Sequence, residues 1–235
     1  MKFNSGLDLQ AQIHSFIPQS EYLKPATEVA RHLLGKLLVR EYQGSTLVGV
    51  IVETEAYQGE DDLGCHAKAG WTPRTSIMYG PPGHAYVYFT YGMHWLLNVV
   101  TGEVGSPAAV LIRAVEPLAG LDVMRILRPP PRSNQEGCLS RGWTDGPAKC
   151  CQAFSVNGRL NGVSLCGATA GLWIADAGFV IHEESVEHTA RIGLNSVPEP
   201  WRSIPWRYVL KQNHPVSALD DLLSKNCSVT YSKSG

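Results

Sequence analysis

The chain has 235 residues, 44% apolar and 17% charged, with a formal net charge of −1. That length suits one domain with a sizeable core, and those fractions are those of an ordinary globular protein. No apolar run approaches membrane-spanning length, and the near-neutral charge neither demands nor forbids nucleic acid as a partner.

The N-terminal stretch MKFNSGLDLQAQIHSFIPQSEY has one early lysine and lacks an apolar core segment, so no signal peptide and an intracellular location are expected. Residues 1–24 read as a loosely ordered lead-in. Pro25 and Thr27 open a helix over 27–35 with Val29, Ala30, Leu33 and Leu34 as its buried stripe, ended by Gly35. Strands are predicted over 36–42 and 46–57, joined by the turn Gln43-Gly44-Ser45. Residues 59–83 form a long Gly/Pro-rich loop, and loops of that length in a compact domain tend to be functional. Strands over 85–91 and 95–100 flank a Gly92-Met93 turn, and a further strand covers 108–116, giving an antiparallel meander. Leu118, Leu121, Met124 and Leu127 suggest a helix over 117–127. A loop over 128–146 precedes a helix that Pro147 opens. Strands are expected over 172–175 and 179–182, then an Arg- and Trp-rich segment, then a tail over 218–235. Six cysteines (Cys65, Cys138, Cys150, Cys151, Cys166, Cys227) show no C-x-x-C spacing, so free thiols and no metal or cofactor are expected.

The charge is unevenly spread. Residues 1–62 carry five basic and nine acidic side chains, against six and three over 65–132 and four and one over 191–211. Such a basic excess is compatible with phosphate binding, and equally with a solvated surface.

Alternation along the strand over 46–57 puts Ile51, Glu53, Glu55 and Tyr57 on one face and Val50, Val52, Thr54 and Ala56 on the other. A strand running out into solvent accounts for Glu53. Glu55 beside Tyr57 at a loop mouth also fits a hydrolase acting on a flat ligand, in which a carboxylate activates water and a ring stacks. Tyr86 and Tyr88 share a face, the usual pattern of cross-strand packing. Tyr91-Gly92-Met93 differs, because a Tyr and a Met at a tight turn form a projecting wedge of the sort that enters base steps. Asn98 and Arg113 interrupt apolar strands, and each is either a structural hydrogen-bond hub or part of a site.

Together the strings ARHLLGKLLVR (30–40), GVIVETEAYQGEDD (49–62), CHAKAGWTPR (65–74), MYGPPGHAYVYFTYGMHWLLNVV (78–100), AAVLIRAVEPLAGLDVMR (108–125) and GPAKCCQAF (146–154) resemble the alkyladenine (3-methyladenine) DNA glycosylase family. The resemblance runs from about Pro25 to Ser217. It implies a single domain over 25–217 of α+β class, with a curved, mainly antiparallel, open-barrel-like sheet flanked by helices. It implies a monofunctional glycosylase, acting as a monomer on double-stranded DNA that contains a damaged purine, without lyase activity. Glu55 would be the base that activates water, with Arg113 helping to place it. Tyr57, His66 and Tyr88 would wall the pocket, Asn98 would reject guanine, and Tyr91 would enter the duplex with Met93 supporting it. Lys149 is a further expected DNA contact. The sequence departs from the family pattern at His94, where Tyr or Phe is common, at Thr75, where Asn is usual, and in CHAKAGW. Two other readings remain at this point: a DNA-binding module without catalysis, and a hydrolase of free nucleosides.

Overall fold

A computed structural model describes residues 9–129 and 143–211 of the chain. Eight strands form one antiparallel sheet: β1 (Leu37–Tyr42), β2 (Ser45–Gln58), β3 (Ala85–Thr90), β4 (His94–Val100), β5 (Ala108–Ala119), β6 (Leu172–Ala175), β7 (Val186–Thr189) and β8 (Arg207–Leu210). The main path runs β3-β4-β5-β2-β1-β6. The 14-residue β2 is its spine. It pairs with β5 along one edge, while the other edge pairs with β1 over its first half and with β8 over Glu53–Glu55. Among the described residues, four short helices sit on the sheet: α1 (Leu9–Ile13), α2 (Ala26–His32), α3 (Leu121–Leu127) and α4 (Pro147–Ala153).

The alternation predicted for β2 decides which side carries what. Thr54 and Ala56 face α2, where the Thr54 hydroxyl donates to the Ala30 carbonyl at 2.8 Å. Glu53, Glu55 and Tyr57 face the other way. Between Ile51 and Thr54 the β2–β5 register slips twice, passing over Val52 on one strand and Arg113 on the other. Such irregularities re-aim side chains, and here Arg113 meets both carboxylates of β2. Val29 and Ala30 on α2, with Leu33 and Leu34 in the turn that follows it, are buried as their spacing predicts, although the helix ends at His32, and each such leucine stabilises the fold by about 2–3 kcal/mol.

Three expectations change. The helix predicted over 117–127 begins only at Leu121: residues 117–119 extend β5, with Pro117 opposite Gly49, and Gly120 breaks the chain direction at φ +77°. No strand forms over 179–182; the strand that pairs is Val186–Thr189, with Arg207–Leu210. Within the stretch read as a lead-in, Ile13, Ile17 and Tyr22 are buried and Phe16 bridges to Ala175. The predicted tail over 218–235 and most of the loop over 128–146 lie outside the described residues.

The long loop after β2 is held by its own small core. Cys65, Ala67 and Met78 pack with Tyr86, Val100 and Ala109 beneath it, with Tyr57, Tyr79 and Tyr88 at the edge. Two short 3-10 turns, His66–Ala69 and Ser76–Tyr79, lie within the loop. Thr75, the residue that departs from the family pattern, closes it: its hydroxyl donates to the Gly70 carbonyl at 2.8 Å and accepts from the Thr72 amide at 2.8 Å. No helix among the described residues is long and apolar enough to cross a membrane.

Candidate active site

A cavity of about 370 Å³ opens at the ends of β2–β5, within the range of small-ligand sites, about 300–1,000 Å³. Tyr57, His66, Tyr88, Tyr91, His94, Asn98 and Arg113 line it, and Ile192–Leu194 and the first turn of α4 close it. Seven of the nine predicted site residues therefore converge on one cavity or on its back wall: the five pocket residues of strands and loop, Tyr91 at the mouth, and Glu55 behind. Met93 sits on the same hairpin tip and lines a neighbouring cleft of about 290 Å³. Lys149, on α4, lies outside the lining and pairs with Asp145 just before that helix, whose Pro147 and Ala148 do line the cavity.

Glu55 has no exposed surface. One oxygen, Oε1, accepts the Ile192 backbone N–H at 2.7 Å and has Arg113 Nη1 at 3.3 Å. The other, Oε2, accepts the Tyr57 hydroxyl at 2.8 Å. Burial, followed by the Glu55 charge, pushes the Tyr57 phenol well above its ordinary value, so it stays a donor to the carboxylate. Glu53, expected in solvent, is instead buried and doubly paired: Arg113 Nε donates to its Oε1 at 2.7 Å and Arg207 Nε at 2.6 Å. Burial alone would lower the Arg113 pKa, but Glu55 and Glu53 outweigh it and the net shift is upward.

The other wall is aromatic. The His66 and Tyr88 rings meet edge-on with centroids 4.5 Å apart, and Tyr86 lies 5.3 Å from Tyr88. His66 Nδ1 is 3.0 Å from the Tyr86 hydroxyl. Burial first, then the charges of Arg74 and Lys68, lowers the His66 pKa to about 4, so the ring is neutral near pH 7. Asn98 Nδ2 donates to the Tyr86 carbonyl at 3.0 Å, which fixes the amide at the cavity floor. His94 lines the cavity with its Nδ1 buried and unpartnered among the described residues.

At the mouth, Tyr91 is 83% and Met93 65% exposed. Tyr91 and Gly92 both take positive φ, +51° and +66°, and the Met93 N–H returns to the Thr90 carbonyl. This is the pattern of a mirror-image turn that suits twisted hairpins, where Asn or Gly is the usual first residue.

Sequence reasoning missed Ile192, Asp62 and Arg191. The guanidinium of Arg191 forms a two-point pair with Asp62, both side chains fully buried, and lies 4.7 Å from the Tyr57 ring and 5.2 Å from that of Trp206. A backbone N–H donor such as that of Ile192 leaves no trace in residue type, and Asp62 and Arg191 lie 129 positions apart. Glu53 did carry a signal, because alternation puts it on the face of Glu55.

A model of the family described as methylpurine-DNA glycosylase matches residues 20–214. A "Putative 3-methyladenine DNA glycosylase" of Carboxydothermus hydrogenoformans is 45% identical over 201 residues, covering 86% of this chain and 98% of the relative. Proteins of the same name from Methanocella arvoryzae and Myxococcus xanthus are 44% and 43% identical, each over 86% of this chain and over 95% and 94% of their own lengths. An identity of this size spread over nearly the whole described sheet, with the aromatic cavity and its buried carboxylate inside the matched span, leaves no second family to consider: the chain belongs to the methylpurine-DNA glycosylase family.

Proposed function

We propose that this DNA glycosylase removes alkylated or deaminated purines (the 3-methyladenine, 7-methylguanine, ethenoadenine and hypoxanthine class) from duplex DNA and so initiates base excision repair. The damaged nucleotide turns out of the helix into the aromatic cavity, and water cuts its N-glycosidic bond. The observation that carries this reading is Glu55, a buried carboxylate behind an aromatic cavity whose mouth bears an exposed tyrosine wedge.

An ionised carboxylate offers about four acceptor positions. Tyr57 and Ile192 donate to two of them and Arg113 stands in ion-pair contact with Oε1, which leaves capacity for a water. That water attacks C1′ of the sugar, Glu55 accepts its proton, and the bonding pair leaves with the base nitrogen. An N3- or N7-alkylated purine is already cationic and departs readily. A neutral lesion such as hypoxanthine needs a proton as it leaves. Tyr57 stacks on one face of the base and His66 with Tyr88 on the other. Asn98 excludes the exocyclic amine of guanine. Tyr91 fills the gap in the duplex, supported by Met93, and Lys149 contacts phosphate at the rim. No lysine lines the cavity among the described residues, which favours direct hydrolysis over a Schiff base.

The test is a duplex with a single hypoxanthine, ethenoadenine or 7-methylguanine, incubated with the protein and then treated with hot alkali. Strand scission at the lesion is expected, and its absence for every lesion would overturn the reading. Glu55→Gln should bind the lesion duplex as the wild type does and lose about 10²–10⁴-fold in excision rate, the usual worth of a general base.

A further inference from the structure

We infer that Arg191 and Asp62 are positioning residues for the reaction, a buried pair that holds the Ile192 N–H, and through it the Glu55 carboxylate, in its working place. The inference rests on the proposed glycosylase chemistry and assigns a role that neither side chain could play from the cavity, since neither lines it.

The need for such a device follows from where the Glu55 contacts come from. Two of them, Tyr57 and Arg113, sit on strands. The third is the Ile192 N–H, and Ile192 belongs to a stretch from Ala190 to Trp206 that has no helix or strand. The same stretch supplies Ile192, Gly193 and Leu194 to the cavity wall. A catalytic group must be held within about 0.5 Å, and an irregular segment does not hold itself that closely.

Arg191, the residue before Ile192, supplies the anchor. Its Nη1 donates to Asp62 Oδ2 at 2.5 Å and to the Ala56 carbonyl of β2 at 3.0 Å. Its Nη2 donates to Asp62 Oδ1 at 2.8 Å and to the Trp201 carbonyl at 3.2 Å. The guanidinium also lies between the Tyr57 and Trp206 rings. One planar group thus ties β2, the long loop and the irregular segment together, immediately beside the residue that bonds Glu55.

Asp62 is held through both carboxylate oxygens. Besides Arg191 it accepts the Gln58 N–H at 3.2 Å and the Gly64 N–H at 2.9 Å. The fork geometry of arginine is essential to such an arrangement, because a lysine ammonium is a point donor that cannot face two carboxylate oxygens and two carbonyls in a plane. The close packing extends to Gly64: a Cβ there would stand 2.7 Å from Arg191 Nη2 and 2.7 Å from a Leu194 methyl carbon. Glycine at 64 is what lets the guanidinium approach the loop.

The experiment separates positioning from folding and from binding. Arg191→Lys, Arg191→Met, Asp62→Asn and Gly64→Ala are compared with wild type for affinity to a lesion duplex, single-turnover excision rate and thermal melting. Gly64→Ala retains both charges and displaces the guanidinium together with the Leu194 side chain, for which Leu194→Ala is the control, so it reports even if the others fail to fold. Expected is a fall in excision rate of at least tenfold per folded molecule, with lesion affinity within threefold of wild type, and a smaller loss for Arg191→Lys than for Arg191→Met. Excision by folded Gly64→Ala at the wild-type rate would overturn the inference, as would parallel loss of affinity and rate. A wild-type protein that excises no lesion would instead overturn the glycosylase reading itself.

Discussion

Arg113 carries two carboxylates at once, Glu53 through Nε and Glu55 through Nη1, on a strand that is otherwise apolar apart from Glu116. Two carboxylates side by side on one buried strand face repel each other without a cation between them. The double register slip in β2–β5 is the local feature that turns the guanidinium to them. Arg113→Met should therefore destabilise the protein by about 3 kcal/mol, the low end for a broken buried pair, because Arg207 still holds Glu53. Adding Glu53→Gln to that variant should restore part of the loss, and equal denaturation midpoints for the single and double variants would show that the charges are not coupled. At this scale the sequence was informative where side-chain type and alternation coincide, as at Glu55 and Tyr57. It was silent on Ile192, whose contribution is a backbone N–H.

The β3–β4 hairpin is the element most legible in the sequence. Alternating aromatics, a Tyr-Gly-Met tip and a second apolar run give the strands and the turn, and each observed strand differs from the expected one by a single residue at the tip. Less legible were the elements whose period is ambiguous. Leu118, Leu121, Met124 and Leu127 recur every three residues, which suits a helix, yet the first of them belongs to a strand because β2 is long enough to pair with its neighbours Pro117 and Ala119. The strand Val186–Thr189 is short and mostly polar, and only its partner, Arg207–Leu210, makes it a strand. The hairpin tip also carries a cost that favours a functional reading. A tyrosine at φ +51° sits in the left-handed region that non-glycine residues enter at about 1 kcal/mol or more, with its ring in solvent and nothing to compensate. Tyr91→Asn places a residue that tolerates this conformation in the same turn. Melting temperature is expected to stay level or rise by a few degrees, while excision from duplex DNA falls and excision from a single strand is spared. A destabilised Tyr91→Asn protein, or equal losses on both substrates, would remove the wedge from the account.

At the scale of the whole molecule, the sheet and its core set the electrical state of the site. The small core under the long loop buries His66 against Tyr86 and Tyr88, and Arg74 and Lys68 stand near it, so its pKa falls from 6.5 to about 4. His32 on α2 is lowered as well, by burial and then by Lys36. The unfolded chain recovers ordinary histidine values. Between about pH 6.5 and 4 it therefore binds a proton at position 66 that the folded chain refuses, so stability falls as pH drops through that window and recovers as pH rises. Carboxylates held below their usual range, such as Glu21 and Asp176, weaken the fold in the same direction at lower pH, and so a comparison with a variant is needed to isolate the ring. His66→Gln keeps a polar side chain in the wall and removes the titration. The loss of melting temperature between pH 7 and pH 5 should be smaller in His66→Gln than in the wild type, by a few degrees. Parallel profiles for the two proteins would mean that His66 titrates as freely in the fold as outside it. The same neutrality bears on the reaction: a ring that stays uncharged at working pH can lie against a cationic alkylpurine without like-charge repulsion, and still face a neutral deaminated base. The expected consequence is excision of 7-methylguanine that stays level as pH falls from 7 to 6, whereas a His66 that gained its proton in that range would repel this lesion and depress its rate more than that of hypoxanthine.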